Sequence, residues 1–350
     1  RQIARGAGGR GGGAGMGLLG AGAGAAAAAG AAQGWAVWVL ALAAVGAACA
    51  LRAALAALGG VWRALLAPGA DLRGRYGGWA VVTGATDGIG RALALRLAAL
   101  GFPVCVVSRT PAKLEALREE LLSAGAPEAR TVQLDFAAAG DADWARVRSD
   151  LSGIDVGVLV NNVGQSYAHA EYLHNLEDGD VDRLIRVNCS GTVRMTKIAL
   201  EGMVARRQRS AILNVGSGAA TVMPSEPLYS GYAGTKGFVD EFSRSLAVEY
   251  ADFGVDVELH APMLVSTKMA QPGRRSTNTF IPSAAGYARA SLRRLGDGQL
   301  RCSPYWSHAL MWGVISLLPE ALVDRMRLGQ CKTIRKKALR RKERLAAKAK

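Results

Sequence analysis

Tyr232 and Lys236 are the residues of this 350-residue chain whose types and spacing most clearly suit chemistry. A separation of four residues on a helix places the phenol and the ammonium on one face. Free tyrosine, with a pKa of about 10, is a poor acid at neutral pH, and a neighbouring cation lowers that pKa by favouring the phenolate. The pair therefore predicts a general acid, although the same spacing also occurs by chance in surface pairs.

Three further polar features accompany this pair. Ser217 follows an apolar run at 211–215, and an Asn-Asn-Val-Gly sequence at 161–164 follows another at 156–160. Because the carboxyl ends of parallel strands meet at one edge of a sheet, we expect these residues to lie near each other. Asn188 lies in the long helix predicted after the second run, where we expect it to kink the helix and hold a water molecule.

A glycine-rich turn follows the apolar run at 80–83 and leads into a helical pattern at 91–100. Its three glycines permit a tight turn, a close approach of the backbone to pyrophosphate, and close packing of the helix on the sheet. The helix N-terminus offers free N–H groups and a positive dipole end to phosphate. With a second strand at 103–108, this βαβ unit predicts a dinucleotide site. The residues expected to contact the cofactor are Gly84, Thr86, Asp87, Gly88, Ile89 and Gly90.

The residues after the second strand indicate which dinucleotide binds. Ser108 and Arg109 stand where a carboxylate would hold the ribose hydroxyls of NAD. An arginine can instead bind a 2′-phosphate through charge-assisted hydrogen bonds, so NADPH is favoured, with a solvated surface charge as the alternative for Arg109. Asp135, at the end of the third predicted strand, is expected to accept from the adenine amino group, with capping of the strand as the alternative.

Helix and strand patterns alternate from about residue 75 to 290 without an obvious second-domain break. This alternation is typical of an α/β fold with a doubly wound parallel sheet of the Rossmann type. Long helices are expected at 181–205 and 232–253. The six predicted strands lie at 80–83, 103–108, 131–135, 156–162, 211–215 and 255–259.

The charge distribution argues against a nucleic-acid partner. The formal net charge is +15, but residues 332–350 hold ten Lys or Arg against one Glu, so the body of the chain is nearly balanced. A basic tail beside apolar segments fits an anionic membrane surface better than DNA, and a solvated tail is the alternative. Five cysteines without C-x-x-C or zinc-like spacing indicate reduced thiols on the cytosolic side and no metal site.

An apolar segment at 35–60 precedes the alternating region and follows a Gly- and Ala-rich, low-complexity leader at 1–34. The segment reaches the roughly 20 residues that a bilayer span needs. Trp35 and Trp38 lie at one edge, as in interfacial aromatic belts. A membrane anchor is therefore favoured over a cleaved signal peptide or an Ala-rich surface helix.

A second apolar segment, 291–331, precedes the basic tail. Its stretch at 305–319 is aromatic and uncharged but short for a span. It could lie in the membrane interface, cover a long acyl chain or pack as core. His308 within it is expected to be structural, because no neighbouring residue in the sequence suggests a catalytic partner.

Together these motifs resemble those of the short-chain dehydrogenase/reductase family over about residues 75–290. The Asn-Asn-Val-Gly form, together with the residues at 166–172 and 308–311, is similar to the very-long-chain 3-oxoacyl-CoA reductase branch, which also has an N-terminal anchor and a basic tail. The family resemblance rests on Thr83-Gly84-x-x-x-Gly88-Ile89-Gly90, Asn161-Asn162-Val163-Gly164, Asn188, Ser217 and Tyr232-x-x-x-Lys236.

The resemblance implies a role for each matching residue. Tyr232 protonates the carbonyl oxygen as hydride arrives from the nicotinamide, and Ser217, as a substrate-binding residue, is hydrogen-bonded to the same oxygen. Lys236 lowers the pKa of Tyr232 and binds the nicotinamide ribose, and Asn188 holds a water that connects Lys236 to solvent. The further cofactor contacts implied are Asn162, Gly164, Val265 and Thr267, beside Tyr232 and Lys236 themselves.

The implied function is NADPH-dependent reduction of a very-long-chain 3-oxoacyl-CoA to its 3-hydroxyacyl-CoA in fatty-acid elongation. The implied location is the endoplasmic reticulum membrane with a cytosolic catalytic domain, with other elongation enzymes and a second copy of the chain as partners. A 17β-hydroxysteroid or retinoid reductase is the enzymatic alternative. An inactive, cofactor-binding membrane scaffold is the alternative of another class.

Two positions depart from the family pattern. Ser217 lies fifteen residues before Tyr232, about two more than is usual, so the loop through 224–227 is expected to bulge. Pro262-Met263 stands where the family usually has Pro-Gly, beside the expected nicotinamide contacts. Neither departure removes an acid, a base or a charge.

Overall fold

The structure, a computed structural model, describes residues 35–52, 54–55, 59–60, 62, 68–270 and 276–348. The chain separates into two compact units, Arg1–Trp62 and Arg63–Lys350. In the first unit, helix α1 (Trp35–Arg52) is long and apolar enough to cross a membrane, and its side chains are exposed. The predicted leader at 1–34 and residues 53 and 56–58 of the predicted anchor lie outside the described residues.

A parallel sheet of seven strands forms the centre of the second unit. The strands are β1 (Trp79–Thr83), β2 (Val104–Ser108), β3 (Ala129–Gln133), β4 (Val156–Asn161), β5 (Ser210–Val215), β6 (Val255–His260) and β7 (Arg301–Cys302). Their order in the sheet is β3-β2-β1-β4-β5-β6-β7. The order reverses between β1 and β4, which is where a doubly wound sheet opens a crevice at the carboxyl ends of its strands.

Helices connect the strands and continue beyond the last one. They are α2 (Leu72–Tyr76), α3 (Gly88–Ala99), α4 (Pro111–Ser123), α5 (Asp141–Ser152), α6 (Asp178–Leu184), α7 (Gly191–Met203), α8 (Gly218–Thr221), α9 (Ser230–Glu249), α10 (Ala284–Arg294), α11 (Trp306–Ile315) and α12 (Glu320–Lys348). A 3-10 turn lies at Leu173–Asn175, and a π-helical turn at Ile185–Ser190 joins α6 to α7.

The inner strands are buried on both faces, which explains why their sequences are continuous apolar runs rather than alternating ones. Val82 packs in one apolar cluster with Leu93 of α3. Its neighbour Val81 packs in the other cluster with Met195 of α7 and Ile212 of β5. The sheet is thus held between two apolar layers, and its polar strand ends are left to form a site.

The doubly wound α/β fold predicted from the sequence is confirmed, with all six predicted strands present. β3 ends at Gln133, so Asp135 lies two residues beyond the strand rather than at its end. β7 extends the sheet to Cys302, beyond the boundary expected near residue 290. Residues 332–348 of the basic tail continue helix α12.

Helix α11 falls within the apolar stretch at 305–319. Its Ser307 and His308 are buried, whereas Trp306, Leu310 and Val314 are exposed. The exposed residues recur at every fourth position and so share one face of the helix. Packing as core is therefore excluded for that face.

Candidate active site

The glycine-rich turn joins β1 to the N-terminus of α3. Gly84 and Gly88 have φ values of +62° and +57°, a left-handed conformation that glycine adopts without strain. A Cβ atom at Gly90 would lie 2.3 Å from Asn162 Nδ2 and 2.5 Å from the Gly84 carbonyl oxygen, so only glycine fits there. The turn leaves a backbone cradle before a helix N-terminus, which fits the pyrophosphate of a dinucleotide.

Thr83 joins this turn to the end of β4, a role that the sequence analysis missed. Its Oγ1 donates to the Val160 carbonyl (3.3 Å) and accepts from the N–H groups of Asn162 (3.0 Å) and Val163 (3.1 Å). Asn162 Nδ2 donates to the carbonyls of Thr83 and Gly84, at 3.0 and 3.2 Å. Asn162 thus supports the turn, and its contact with a cofactor stays a prediction. A polar residue closing an apolar strand was the available signal for Thr83.

Thr86, Ser108 and Arg109 lie at the ends of β1 and β2. The hydroxyls of Thr86 and Ser108 are hydrogen-bonded at 2.9 Å. Arg109 is exposed, and its guanidinium has no hydrogen bond or ion pair with any residue that the structure describes. An exposed guanidinium without such a partner, beside two hydroxyls, can bind a phosphate monoester.

The two acidic residues expected at the cofactor act as backbone caps. Asp87 accepts from the N–H of Gly88 at 2.8 Å and forms an ion pair with Lys268 at 2.7 Å. Asp135 accepts from the N–H of Ala137 at 3.0 Å, so it caps the turn after β3 rather than the strand itself. Their contacts with a cofactor stay predictions.

Ser217 and Tyr232 meet at the carboxyl edge of the sheet, one after β5 and the other in the first turn of α9. Ser217 Oγ accepts from the N–H of Ala219 at 3.2 Å, and Ser217 lies close enough to Tyr232 to influence the pKa of the phenol. Burial raises the pKa of Tyr232, its interaction with the Ser217 hydroxyl lowers it, and the charge of Glu226 raises it, with a net increase. Tyr232 therefore keeps its proton at neutral pH, as a general acid must.

Lys236 lies one turn further along α9 and is 6% exposed. Its Nζ donates to the Val215 carbonyl at the end of β5, at 2.9 Å. Burial lowers the pKa of Lys236 to about 8. Lys236 is not among the groups that shift the pKa of Tyr232 in the structure, and desolvation of the phenol is the largest effect on that pKa.

Asn188 is buried in the π-helical turn Ile185–Ser190, which is the form that the expected kink takes. Its Nδ2 donates to the Gln165 carbonyl and to Thr235 Oγ1, both at 2.9 Å, and its Oδ1 accepts from the Gln165 N–H at 2.8 Å. Thr235 Oγ1 in turn donates to the Tyr232 carbonyl at 2.8 Å. The network fixes the backbone of α9 beneath the phenol. The water expected at Asn188 stays a prediction.

Gly164 faces this cluster. A Cβ atom there would lie 3.3 Å from Lys236 Nζ and 3.4 Å from Asn188 Oδ1. The strand-end motif, the π-helical turn and α9 therefore converge on one point. The glycine keeps space beside the ammonium, which fits a ribose.

The loop after β6 faces the glycine-rich turn. Val265 is buried, and the methyl group of Thr267 lies 3.3 Å from the position that a Cβ atom at Gly88 would take. Met263, which replaces the usual glycine, donates its N–H to His308 Nδ1 at 3.3 Å. Burial lowers the pKa of His308, which packs as a neutral structural residue and anchors this loop to α11.

Comparison with known proteins places these motifs in a family. The family described as short chain dehydrogenase matches residues 78–278. A very-long-chain 3-oxoacyl-CoA reductase-like protein of Arabidopsis thaliana is 41% identical over 234 residues, which cover 66% of this chain and 74% of the relative. A very-long-chain 3-oxoacyl-CoA reductase of Anas platyrhynchos is 38% identical over 320 residues, which cover 89% of this chain and 98% of the relative.

Solved structures share the fold. A short-chain dehydrogenase from Sphingobium yanoikuyae in complex with NADPH matches with a TM-score of 0.56 and 25% identity, over 69% of this chain and 96% of the other. A 3-ketoacyl-(acyl-carrier-protein) reductase from Brucella melitensis complexed with NADH matches with a TM-score of 0.55 and 28% identity, over 65% and 94%. The chain therefore belongs to the short-chain dehydrogenase/reductase family, in its very-long-chain 3-oxoacyl-CoA reductase branch.

Proposed function

We propose that this chain reduces very-long-chain 3-oxoacyl-CoA to 3-hydroxyacyl-CoA with NADPH, as a step of fatty-acid elongation. The observation that carries the proposal is that Ser217 and Tyr232 lie next to each other, one helical turn from the buried Lys236. The names of the relatives from Arabidopsis thaliana and Anas platyrhynchos support the substrate class.

In the proposed reaction, the substrate carbonyl oxygen accepts hydrogen bonds from the hydroxyls of Ser217 and Tyr232. NADPH supplies the hydride. Tyr232 gives up its proton as charge develops on the oxygen, and Ser217 holds that oxygen in position. The positive charge of the Lys236 ammonium then stabilises the tyrosinate that remains. General-acid assistance of this kind contributes about 10²- to 10⁴-fold in rate.

Turnover by the purified full chain in detergent tests the substrate class. We expect faster reduction of 3-oxostearoyl-CoA than of estrone, and a preference for the steroid would favour a 17β-hydroxysteroid reductase. Tyr232→Phe should keep cofactor binding and lose at least about 100-fold in kcat. Tyr250→Phe, the same change at the end of α9, is the matched control. Unchanged turnover in Tyr232→Phe would refute the assigned acid, and a wild-type chain that binds NADPH without turnover would indicate an inactive scaffold.

The choice of NADPH rests on Arg109, the exposed guanidinium beside the Thr86–Ser108 pair. Solved relatives bind either cofactor, so the family alone supports a nicotinamide cofactor of either kind. Arg109→Glu places a carboxylate where the 2′-phosphate is proposed to bind, so the NADPH/NADH ratio of kcat/KM should fall at least about tenfold. Arg96→Glu on α3 is the control, and an equal change in both variants would place the phosphate elsewhere.

Membrane attachment is proposed for two apolar surfaces: α1, which is long enough to span, and the exposed face of α11, where Leu310 and Val314 project. We place the chain in the endoplasmic reticulum membrane with the reductase domain in the cytosol, beside other elongation enzymes and as a homodimer. The chain should stay in the microsomal pellet after alkaline carbonate extraction. Leu42→Arg in α1 should release it and Val248→Arg on α9 should not, whereas release of the wild-type chain would contradict the anchor.

A further inference from the structure

Helix α12 packs on the α8–α9 loop (residues 222–229), the segment that joins Ser217 to Tyr232. Glu226 of this loop is buried, its side chain being 4% exposed, and it forms a two-pronged ion pair with Arg327 of α12. Arg327 Nε donates to Glu226 Oε2 at 2.8 Å, and a second guanidinium nitrogen donates to Oε1. Ser225 donates to Asp324, one turn earlier on the same helix. The loop is therefore tied to α12 by two adjacent polar contacts.

Apolar contacts continue this interface. Leu228 and Cys331 are buried in one cluster, against which Tyr229 and Leu328 pack. The α12 residues in the interface are Asp324, Arg327, Leu328 and Cys331, which follow the spacing of a single helical face. One face of α12 therefore holds most of the loop.

The loop adopts a backbone conformation that it would not keep by itself. Leu228 has a φ of +63°, which is unfavourable for a residue with a Cβ atom. Its carbonyl accepts from the N–H of Glu171 at 2.9 Å, and its side chain is buried against Cys331. Such a conformation persists only where surrounding contacts hold it, and α12 supplies several of them.

The loop leads directly into the catalytic turn of α9. Tyr229 precedes α9 and stacks on Tyr167, with ring centroids 5.7 Å apart and planes 9° apart. The hydroxyl of Tyr167 accepts from the N–H of Gly231 at 2.8 Å. Tyr232 follows immediately, so a shift of the loop moves the start of α9 and the phenol with it. The charge of Glu226 also raises the pKa of Tyr232.

We propose that Arg327 is a positioning residue: by holding Glu226 it fixes the α8–α9 loop and, through it, the Ser217–Tyr232 pair. The inference rests on the proposed reductase activity. The proposed role of Arg327 is additional to the motifs shared by the family, because α12 lies outside the residues 78–278 that the family matches. Most of the expected cofactor contacts, such as Gly84 and Arg109 at the ends of β1 and β2, lie outside α9, and Tyr232→Phe is itself expected to keep cofactor binding. Loss of Arg327 should therefore impair turnover and spare cofactor binding.

The test compares Arg327→Met with Arg325→Met in the full chain in detergent. Arg325 is an exposed arginine of the same helix, and it has no hydrogen bond or ion pair with the loop among the described residues. Arg327→Met should lower kcat for 3-oxostearoyl-CoA at least tenfold and leave the NADPH Kd within twofold, while Arg325→Met changes neither by more than twofold. Glu226→Gln combined with Arg327→Met should recover at least threefold of the lost kcat, because no unpaired carboxylate stays buried.

Hydrogen exchange of the amides at 222–229 supplies a second measurement that needs no turnover. Exchange there should be at least tenfold faster in Arg327→Met than in Arg325→Met, which separates this inference from the proposed function. If Arg327→Met does not fold, Arg327→Lys replaces it, because lysine keeps the charge and loses the fork; kcat should then fall at least threefold. Unaltered exchange, a kcat within twofold of wild type, or a parallel loss of NADPH binding would each overturn the inference.

Discussion

Replacing Lys236 with methionine should stabilise the fold while abolishing turnover. Lys236 is 6% exposed, and burial lowers the pKa of its ammonium from 10.5 to about 8. A lysine with a lowered pKa in the folded state binds fewer protons there than in the unfolded chain. Wild type therefore gains stability as pH rises between these two values, and below pH 8 it carries the full cost of burying the charge.

The size of this cost follows from the pKa shift. A change of this size corresponds to about 3 kcal/mol at pH 7. Methionine also removes the hydrogen bond to the Val215 carbonyl, which costs about 1 kcal/mol. The net gain of Lys236→Met at pH 7 is thus about 2 kcal/mol, or about 4–8 °C in Tm for a domain of this size. At pH 10 the cost of burying the charged ammonium falls to about 1 kcal/mol, so the net gain in stability approaches zero.

Thermal unfolding of the full chain in detergent, followed by tryptophan fluorescence at pH 7 and pH 10, measures this gain. Lys197→Met on α7 is the matched control, because it makes the same chemical change at an exposed position and should leave Tm nearly unchanged at both pH values. Turnover of Lys236→Met with 3-oxostearoyl-CoA should be lost. A Tm that does not rise at pH 7, or a gain in Tm as large at pH 10 as at pH 7, would refute the argument that burying the ammonium destabilises the wild-type fold.

Two further predictions concern the turn and the far end of the sheet. Gly90→Ala should weaken NADPH binding at least about tenfold and destabilise the fold by about 2 kcal/mol, because its Cβ would overlap Asn162; equilibrium titration and urea unfolding measure both effects. Gly202→Ala on α7, where a Cβ meets no atom within 4 Å, should instead stabilise the fold by about 0.5–1 kcal/mol, and equal losses in both variants would contradict the steric argument. Burial raises the pKa of Asp256, but hydrogen bonds from Arg209 and two other donors more than offset it, so the pKa is lowered. Wild type should therefore be more stable than Asp256→Asn at pH 7, and this difference in the free energy of unfolding should shrink as pH falls below 3.8. A difference in urea midpoint that does not depend on pH would contradict the prediction.

Local patterns predicted the positions of Ser217, Tyr232 and Lys236, because each follows a strand or lies on a helix that its neighbours define. The structural roles of Thr83 and Thr235 were missed. Each acts through hydrogen bonds to segments distant in sequence or to backbone atoms, and no spacing reveals such partners. The roles of Asp87 and Asp135 were likewise ambiguous, since a carboxylate can serve a ligand or a backbone cap with the same sequence signature.

The amino-acid sequence by itself determined the doubly wound sheet, the glycine-rich turn and the positions of Tyr232 and Lys236, because the hydrophobic period and the placement of glycines act over a few residues. Only the tertiary structure decided the protonation of the site and the role of α12. The pKa values of Tyr232 and Lys236 depend on how much water the assembled fold removes from each group. The contact of Arg327 with Glu226 joins residues about a hundred positions apart, and only the packing of the C-terminal helix brings their charges together.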